Sequence, residues 1–418
     1  MSDATTDAAF DVTKLFGKGL PEPAPRWTGF PTYNFVGGHN DPTQIPVEAL
    51  VSAATAVLRR EGTNLAMYNL SHGPLGYRGL REFVSRKLER HRGIAGTPDD
   101  VLITSGSGQG IDLVSRLLVE PGDTVILEEH SYGGAITRFR KLGATIVGAK
   151  LDDDGLRIDA LAAQLADLKG RGITPKFIYT IPTIQNPTGS ILPLERRHEL
   201  VACARRFGVP IFEDECYADL LWSGQSAPPA LYSLDPAQVI HIGSFSKSLA
   251  PALRVGYAVA RWPVLSRMLA CKADGGTGAL DQMVIAEYFS QNFEPHVRAL
   301  SDTLEGKLHT MVEALEREFG TSVDLWKPKG GIFLWLKLPD AVDVRRLVKP
   351  AADAGIAFNP GPEWSCDPDG TRSHMRLCFG LASKQQIRDG VAALARVCFE
   401  QTGIPVRSAN VEQAARPN

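Results

Sequence analysis

HIGSFSKSLAPALRVGY, running from His241 to Tyr257, decides how the chain is read. An apolar run, VIHIGSF (239–245), ends where Ser244 and Ser246 flank Phe245; Lys247 follows, and Arg254 comes after a proline-bearing turn. A lysine is ordinarily a solvated surface charge. This one stands at the end of an expected strand, beside hydroxyls and a guanidinium that suit a phosphate dianion. An ε-amine next to a bound phosphate suits an imine with an aldehyde, because burial depresses its pKa. What such a lysine serves depends on its companions elsewhere in the chain.

The 418 residues are 44% hydrophobic and carry a formal net charge of -2. That is enough for a large core and a second lobe, since single cores stop growing near ~250–300 residues. The balanced charge argues against broad binding to nucleic acid or to a membrane surface, which needs a basic excess. Cys203, Cys216, Cys271, Cys366, Cys378 and Cys398 form no CxxC pair and join no histidine cluster at ligand spacing. They read as core thiols of a reducing compartment, and no metal is expected. The first residues lack a basic stretch followed by an apolar one, and no apolar run approaches the ~20 residues that span a bilayer. A cytoplasmic protein is expected.

From about Pro98 onward, short apolar runs alternate with helical patterns. VLIT (101–104), TVILEE (124–129), ATIVGAK (144–150), FIYTIP (177–182), VPIFEDE (209–215) and VIHIGSF are the expected strands. Such alternation implies an α/β fold with a mostly parallel sheet covered by helices on both faces. Ligands then bind at the carboxyl ends of the strands. A long helical stretch, roughly 281–319, leads to VDLWKP, GGIFLWLKLP and MRLCFG, the texture of a smaller α+β lobe.

The remaining polar groups sit at those strand ends. ITSGSGQGIDL (103–113) opens a helix after a strand, and its glycines let backbone N–H groups approach an anion. Its spacing is G-x-G-x-G, so a nicotinamide site and a plain tight turn both stay open for this loop alone. Asp214, in IFEDECYADL, could serve as metal ligand, base, cation partner or helix cap. Asn186, in TIQNPTG, belongs to a stretch that is turn chemistry in its own right. Pyridoxal 5′-phosphate (PLP) reconciles them, joining an aldehyde to a phosphate and to a pyridine nitrogen that wants a carboxylate. Lys247 would take the aldehyde and Asp214 the nitrogen. Asn186 and Tyr217 would donate to the phenolic oxygen, and Tyr132 would stack on the ring. A nicotinamide cofactor explains none of Lys247, Asp214 and Asn186 together.

The ordered set GPLGYRGLRE, ITSGSGQGIDL, QNPTG, EDECYADL, GSFSKSLAPALRVGY, GGIFLWLKLP and MRLCFG resembles the class I/II aminotransferases of PLP fold type I. The resemblance is greatest to the branch of 2-aminoadipate and kynurenine aminotransferases and MocR-type effector domains. It implies a large domain built on a mostly parallel seven-stranded sheet and a smaller α+β C-terminal domain. The implied division is an N-terminal arm (1–30), a segment associated with the small domain (31–60), the PLP-binding domain (61–295) and the small domain (296–418). It implies phosphate contacts from Ser107, Gly108, Gln109, Ser244, Ser246 and Arg254, a Schiff base at Lys247, and a grip on the substrate carboxylate by Arg376. Gly38 would offer backbone to the substrate, and Asn186 would also contact it. Tyr68 would reach a neighbour's phosphate across a homodimer whose active sites lie at the subunit interface, although Tyr68 is spaced further from Gly76 than is usual. Gly108 and Gly110 stand where bulkier residues are common, and Ser248 where threonine is. The expected activity is ping-pong transfer of an amino group from an L-amino acid to a 2-oxo acid. The alternatives are a PLP-dependent lyase, decarboxylase, racemase or biosynthetic cyclase or oxidase, and a ligand-binding regulatory domain.

Overall fold

The apolar runs assemble into one sheet in the computed structural model, which describes residues 10–405 except 18–19, 21–22 and 25. The start of the expected arm and the last residues of the expected small domain (406–418) lie outside the described residues. The strands are β1 (Val101–Thr104), β2 (Thr124–Glu128), β3 (Thr145–Ala149), β4 (Ile178–Thr180), β5 (Ile211–Asp214), β6 (Val239–Ser244) and β7 (Gly256–Val259). Their order across the sheet is β1-β7-β6-β5-β4-β2-β3, seven strands in all. Only β7, which was not expected, runs against its neighbours. It follows β6 after a turn too short for a crossover, so antiparallel return is the available geometry.

Alternate residues of each strand feed opposite faces, as the two-residue repeat requires. Val101, Ile103, Ile211 and Val239 join one buried cluster. Leu102, Phe212, Ile240 and Ile242 join the cluster on the other side. Burial on both faces explains why these strands read as unbroken apolar runs. Helices α1 (Val47–Glu61), α2 (Arg78–Arg92), α3 (Ser107–Leu118), α4 (Gly133–Lys141), α5 (Ile158–Gly170) and α6 (Leu194–Phe207) precede or separate the strands.

After α7 (Trp262–Cys271), helix α8 (Ala279–Phe319) runs for 41 residues. Its early residues Phe289 and Phe293 pack into the first cluster. Leu300, Leu304, Met311 and Phe319 pack into a third one. That third cluster lies under a four-stranded antiparallel sheet and helix α9 (Lys384–Thr402). The sheet comprises β8 (Asp324–Trp326), β9 (Phe333–Lys337), β10 (Asn359–Pro360) and β11 (His374–Cys378). The expected 31–60 segment divides between the two bodies. Tyr33–Asn34 pairs with Ile356–Ala357, and Phe35 joins the smaller cluster. Helix α1 instead buries Ala53 and Val57 in the larger one, because its apolar stripe faces α8.

Candidate active site

The ends of β1, β2, β4, β5 and β6 point the same way, and the residues just beyond them meet β11 around a cavity of about 340 Å3. Lining it are Ser107, Gly108, Tyr132, Asn186, Asp214 and Tyr217, together with Gly38, Ser244, Ser246, Lys247, Arg254 and Arg376. A larger cleft of about 490 Å3, lined by residues such as Asp152, Trp326 and Lys327, does not set a buried amine against an anion cradle. Chemistry, not volume, marks the site.

Lys247 leaves β6 and turns inward, donating from Nζ to the Gly38 carbonyl at 2.8 Å. A Cβ on Gly38 would collide with that nitrogen, which is a direct reason for glycine there. Burial pushes the Lys247 ammonium below its usual range, and the guanidiniums of Arg376 and Arg254 add to the effect. Asp214 ends β5, buried, accepting from Tyr179 Oη at 2.7 Å and from the Cys216 N–H at 3.1 Å. Burial raises its pKa despite those hydrogen bonds. Beside it, Glu213 accepts from the Leu231 N–H at 2.6 Å and meets His241 Nδ1 at 2.8 Å, while Glu215 is bound by Arg92. Those neighbours pin the strand end from behind.

Asn186 is held from two sides. Its Nδ2 lies 3.4 Å from Tyr217 Oη, and its Oδ1 accepts from Arg376 at 3.1 Å. Its loop is anchored by buried Glu128 at the end of β2, which accepts from Thr180 Oγ1 at 2.6 Å and from Gln185 Nε2 at 2.9 Å. Burial lifts the Glu128 carboxyl to about 7.

Arg376, on β11, is 2% exposed. Its hydrogen-bond partners are neutral: Asn186 Oδ1, the Gly37 carbonyl at 3.2 Å and Asn359 Oδ1 at 2.7 Å. Its guanidinium carbon lies 4.1 Å from the Phe333 ring centre and 3.5 Å from that of Trp364. Among the described residues no carboxylate forms a salt bridge with it, and burial lowers its pKa to about 10. A cation kept dry by two rings and held only by amides and a carbonyl awaits an anion.

At the opposite end, α3 begins at Ser107, so its free N–H groups and helix dipole face the cavity. Gly106 enters this turn at φ 78°, and a Cβ there would collide with the Arg254 guanidinium. Arg254 itself adopts φ 54°, a left-handed strain for a non-glycine residue of the kind concentrated at functional sites. Ser246 N–H donates to Ser244 Oγ at 3.1 Å.

Two expected residues stand apart from the cavity. Gln109 accepts the Ser105 N–H at 2.8 Å and donates to Asp274 at 2.5 Å. Its carboxamide is therefore turned out of the anion cradle by a nearer carboxylate and by the helix turn it sits on. Tyr68 is 88% exposed and does not line this chain's cavity. Sequence reasoning missed Arg138, Trp364, Asn359 and Cys216, which line it, and Tyr179, which holds Asp214. Cys216 was legible beside Tyr217; the others carry no local signal.

The sequence profile of the family described as "Aminotransferase class I and II" matches residues 38–394. The chain is 34% identical to a 2-aminoadipate transaminase of Thermus thermophilus, over 87% of this chain and 89% of that one. In structure it is similar to an alpha-aminoadipate aminotransferase from Thermus thermophilus, complexed with N-(5′-phosphopyridoxyl)-L-leucine. That match has a TM-score of 0.82 and 32% identity, covering 93% of this chain and 98% of the other. A kynurenine aminotransferase from Pyrococcus horikoshii is similar with a TM-score of 0.85 and 29% identity, over 94% and 98% of the two chains. Relatives so named favour transamination over elimination, decarboxylation, racemisation or a purely regulatory domain.

Proposed function

The chain belongs to the class I and II aminotransferases and is a PLP-dependent aminotransferase of fold type I; from that premise we propose a role for each residue of its cavity. The residues fit the cofactor, because glycine at 38 and at 106 admits the Lys247 amine and the Arg254 guanidinium to the cavity, and Asp214 is a buried carboxylate without a salt-bridge partner among the described residues. The chemistry PLP supplies when bound is an aldehyde that condenses with primary amines and a pyridinium that takes up the electron pair of a broken Cα–H bond.

Lys247 would hold the aldehyde. Burial disfavours its charged form, and its Nζ would take the Cα proton and later return one. Asp214 would keep a proton on the ring nitrogen, and Tyr179 fixes its orientation. Asn186 and Tyr217 would donate to the phenolic oxygen, and Tyr132 would lie on the ring face. Ser107, the Gly108 backbone, Ser244, Ser246 and Arg254 would hold the phosphate. Arg376 would bind the substrate carboxylate, so that the Cα–H bond is presented to Lys247.

The observation that carries this assignment is the pairing of a pKa-depressed lysine with a buried arginine whose hydrogen-bond partners are all neutral, in one cavity. The amino donor is read as an L-amino acid and the acceptor as a 2-oxo acid. A homodimer that brings Tyr68 to a neighbour's site is supported by its exposure and by the exposed apolar residues Met67, beside it in sequence, and Val47 and Val51 on α1. The division into an arm, a large PLP domain and a small domain that begins within α8 is supported by the handover of that helix between two cores. No helix among the described residues is long and apolar enough to cross a membrane, and a cytoplasmic location accords with this. The test is a screen of L-amino acids, headed by 2-aminoadipate and kynurenine, with 2-oxoglutarate as acceptor. Formation of glutamate and the matching 2-oxo acid is expected in the wild type, with loss in K247A. Product released without an acceptor, or K247A turning over normally, would overturn the assignment.

A further inference from the structure

Arg254 is not the only guanidinium at the anion end of the cavity. Arg138, projecting from α4, lines it alongside Ser107, Gly108 and Ser244. Its Nε donates to Asp112 Oδ1 at 3.0 Å and its Nη1 to the Gly134 carbonyl at 3.1 Å. These contacts aim Nη2 at the start of α3, where a Cβ on Gly108 would lie 3.0 Å from it. No hydrogen bond from that nitrogen is found among the described residues. Two positions earlier, a Cβ on Gly106 would collide with Arg254. The two glycines flank Ser107; a side chain at 106 would overlap Arg254, and one at 108 would crowd Arg138.

We propose that Arg138 is a second phosphate-binding cation of the cofactor site, admitted by the missing side chain at Gly108. A phosphate monoester carries about -1.5 to -2 charges near neutral pH, more than Arg254 alone offsets. A second guanidinium on the other side of the helix start adds charge-assisted donors where Gln109 supplies none. Asp112 neutralises Arg138 in part and fixes its plane. The inference rests on the reading of this cavity as the PLP site, and it concerns binding of the phosphate, not the reacting atoms.

The test titrates apo-protein with PLP and, separately, with pyridoxal, which lacks the phosphate, following the cofactor's visible absorbance. In R138Q the Kd for PLP is expected to rise about tenfold or more, with the Kd for pyridoxal unchanged. R138K should fall between wild type and R138Q. D112N, which keeps the guanidinium and loses its ion pair, should bind PLP at least as tightly as wild type. Unchanged PLP affinity in R138Q, an equal loss for PLP and pyridoxal, or a D112N protein as impaired as R138Q would overturn the inference. A wild-type protein that takes up no PLP would remove the cofactor reading itself, which is a different and distinguishable result.

Discussion

Replacing Arg376 by glutamine tests the substrate end of the cavity most directly. The guanidinium makes three hydrogen bonds, all to neutral oxygens, and retains donors for a carboxylate. Hydrogen bonds to charged groups are worth about 1.5–3 kcal/mol each. A two-pronged grip on a carboxylate is therefore worth roughly 3–6 kcal/mol, or about two to four decades in kcat/KM at ~1.4 kcal/mol per decade. Glutamine preserves part of the stack between Phe333 and Trp364 and removes a buried charge, so the fold should survive. R376Q is expected to keep its thermal midpoint within a few degrees and its cofactor absorbance, while kcat/KM for amino acids falls about 10²–10⁴-fold. Half-reactions with the amino acid, and with the corresponding amine lacking the carboxylate, separate binding of that group from general damage. The wild type should favour the acid strongly and R376Q should not. A folded, cofactor-loaded R376Q with kcat/KM within about threefold of wild type would refute the reasoning, since an interaction this size cannot vanish without a kinetic trace.

Three further expectations follow from the same geometry. G38A places a methyl against Lys247 Nζ. It should lower kcat about tenfold or more through misplacement of the amine with little change in melting temperature, as parallel kinetics and calorimetry would reveal. D214N should weaken transamination by about two decades or more, whereas Y179F, which only frees Asp214 to turn, should lose about three- to tenfold and shift the pH profile of cofactor absorbance. Burial raises the Glu128 pKa from its ordinary value of 4.5 to about 7. The folded state therefore binds more protons than the unfolded one between those values, and this residue's contribution to stability falls as pH rises through that window and levels off above it. Denaturant midpoints measured across that range should show a flatter pH slope in E128Q; an identical slope would dismiss Glu128 as its source.

Much of the fold was legible because its signals are local. VLIT, TVILEE and VPIFEDE are apolar along their whole length because both faces of each strand are covered, and that pattern survives in one dimension. Strand β7 carries little signal in the sequence because GYAV is brief and follows β6 without the helix that announces a parallel crossover. The sequence presents 31–60 as one segment associated with the small domain, yet Phe35 and Val57 sit in different cores, a division invisible without knowing where α1 packs.

The chemistry at Lys247, Asp214 and Asn186 could be read from their positions at strand ends, since an amine, a carboxylate and an amide together fit few cofactors. How these groups are held could not. Gly38 lies 209 residues from Lys247, whose Nζ donates to its carbonyl, and Arg376 is 190 residues from Asn186. Arg138 meets the anion cradle only because α4 packs beside α3, while Gln109, on the helix that builds the cradle, turns away to Asp274. Periodicity and turn chemistry are properties of neighbours along the chain, so they determined the elements and the kind of cofactor. Side-chain direction and the meeting of distant strand ends depend on packing between elements, and that alone decided which charges face the cavity and which are already paired.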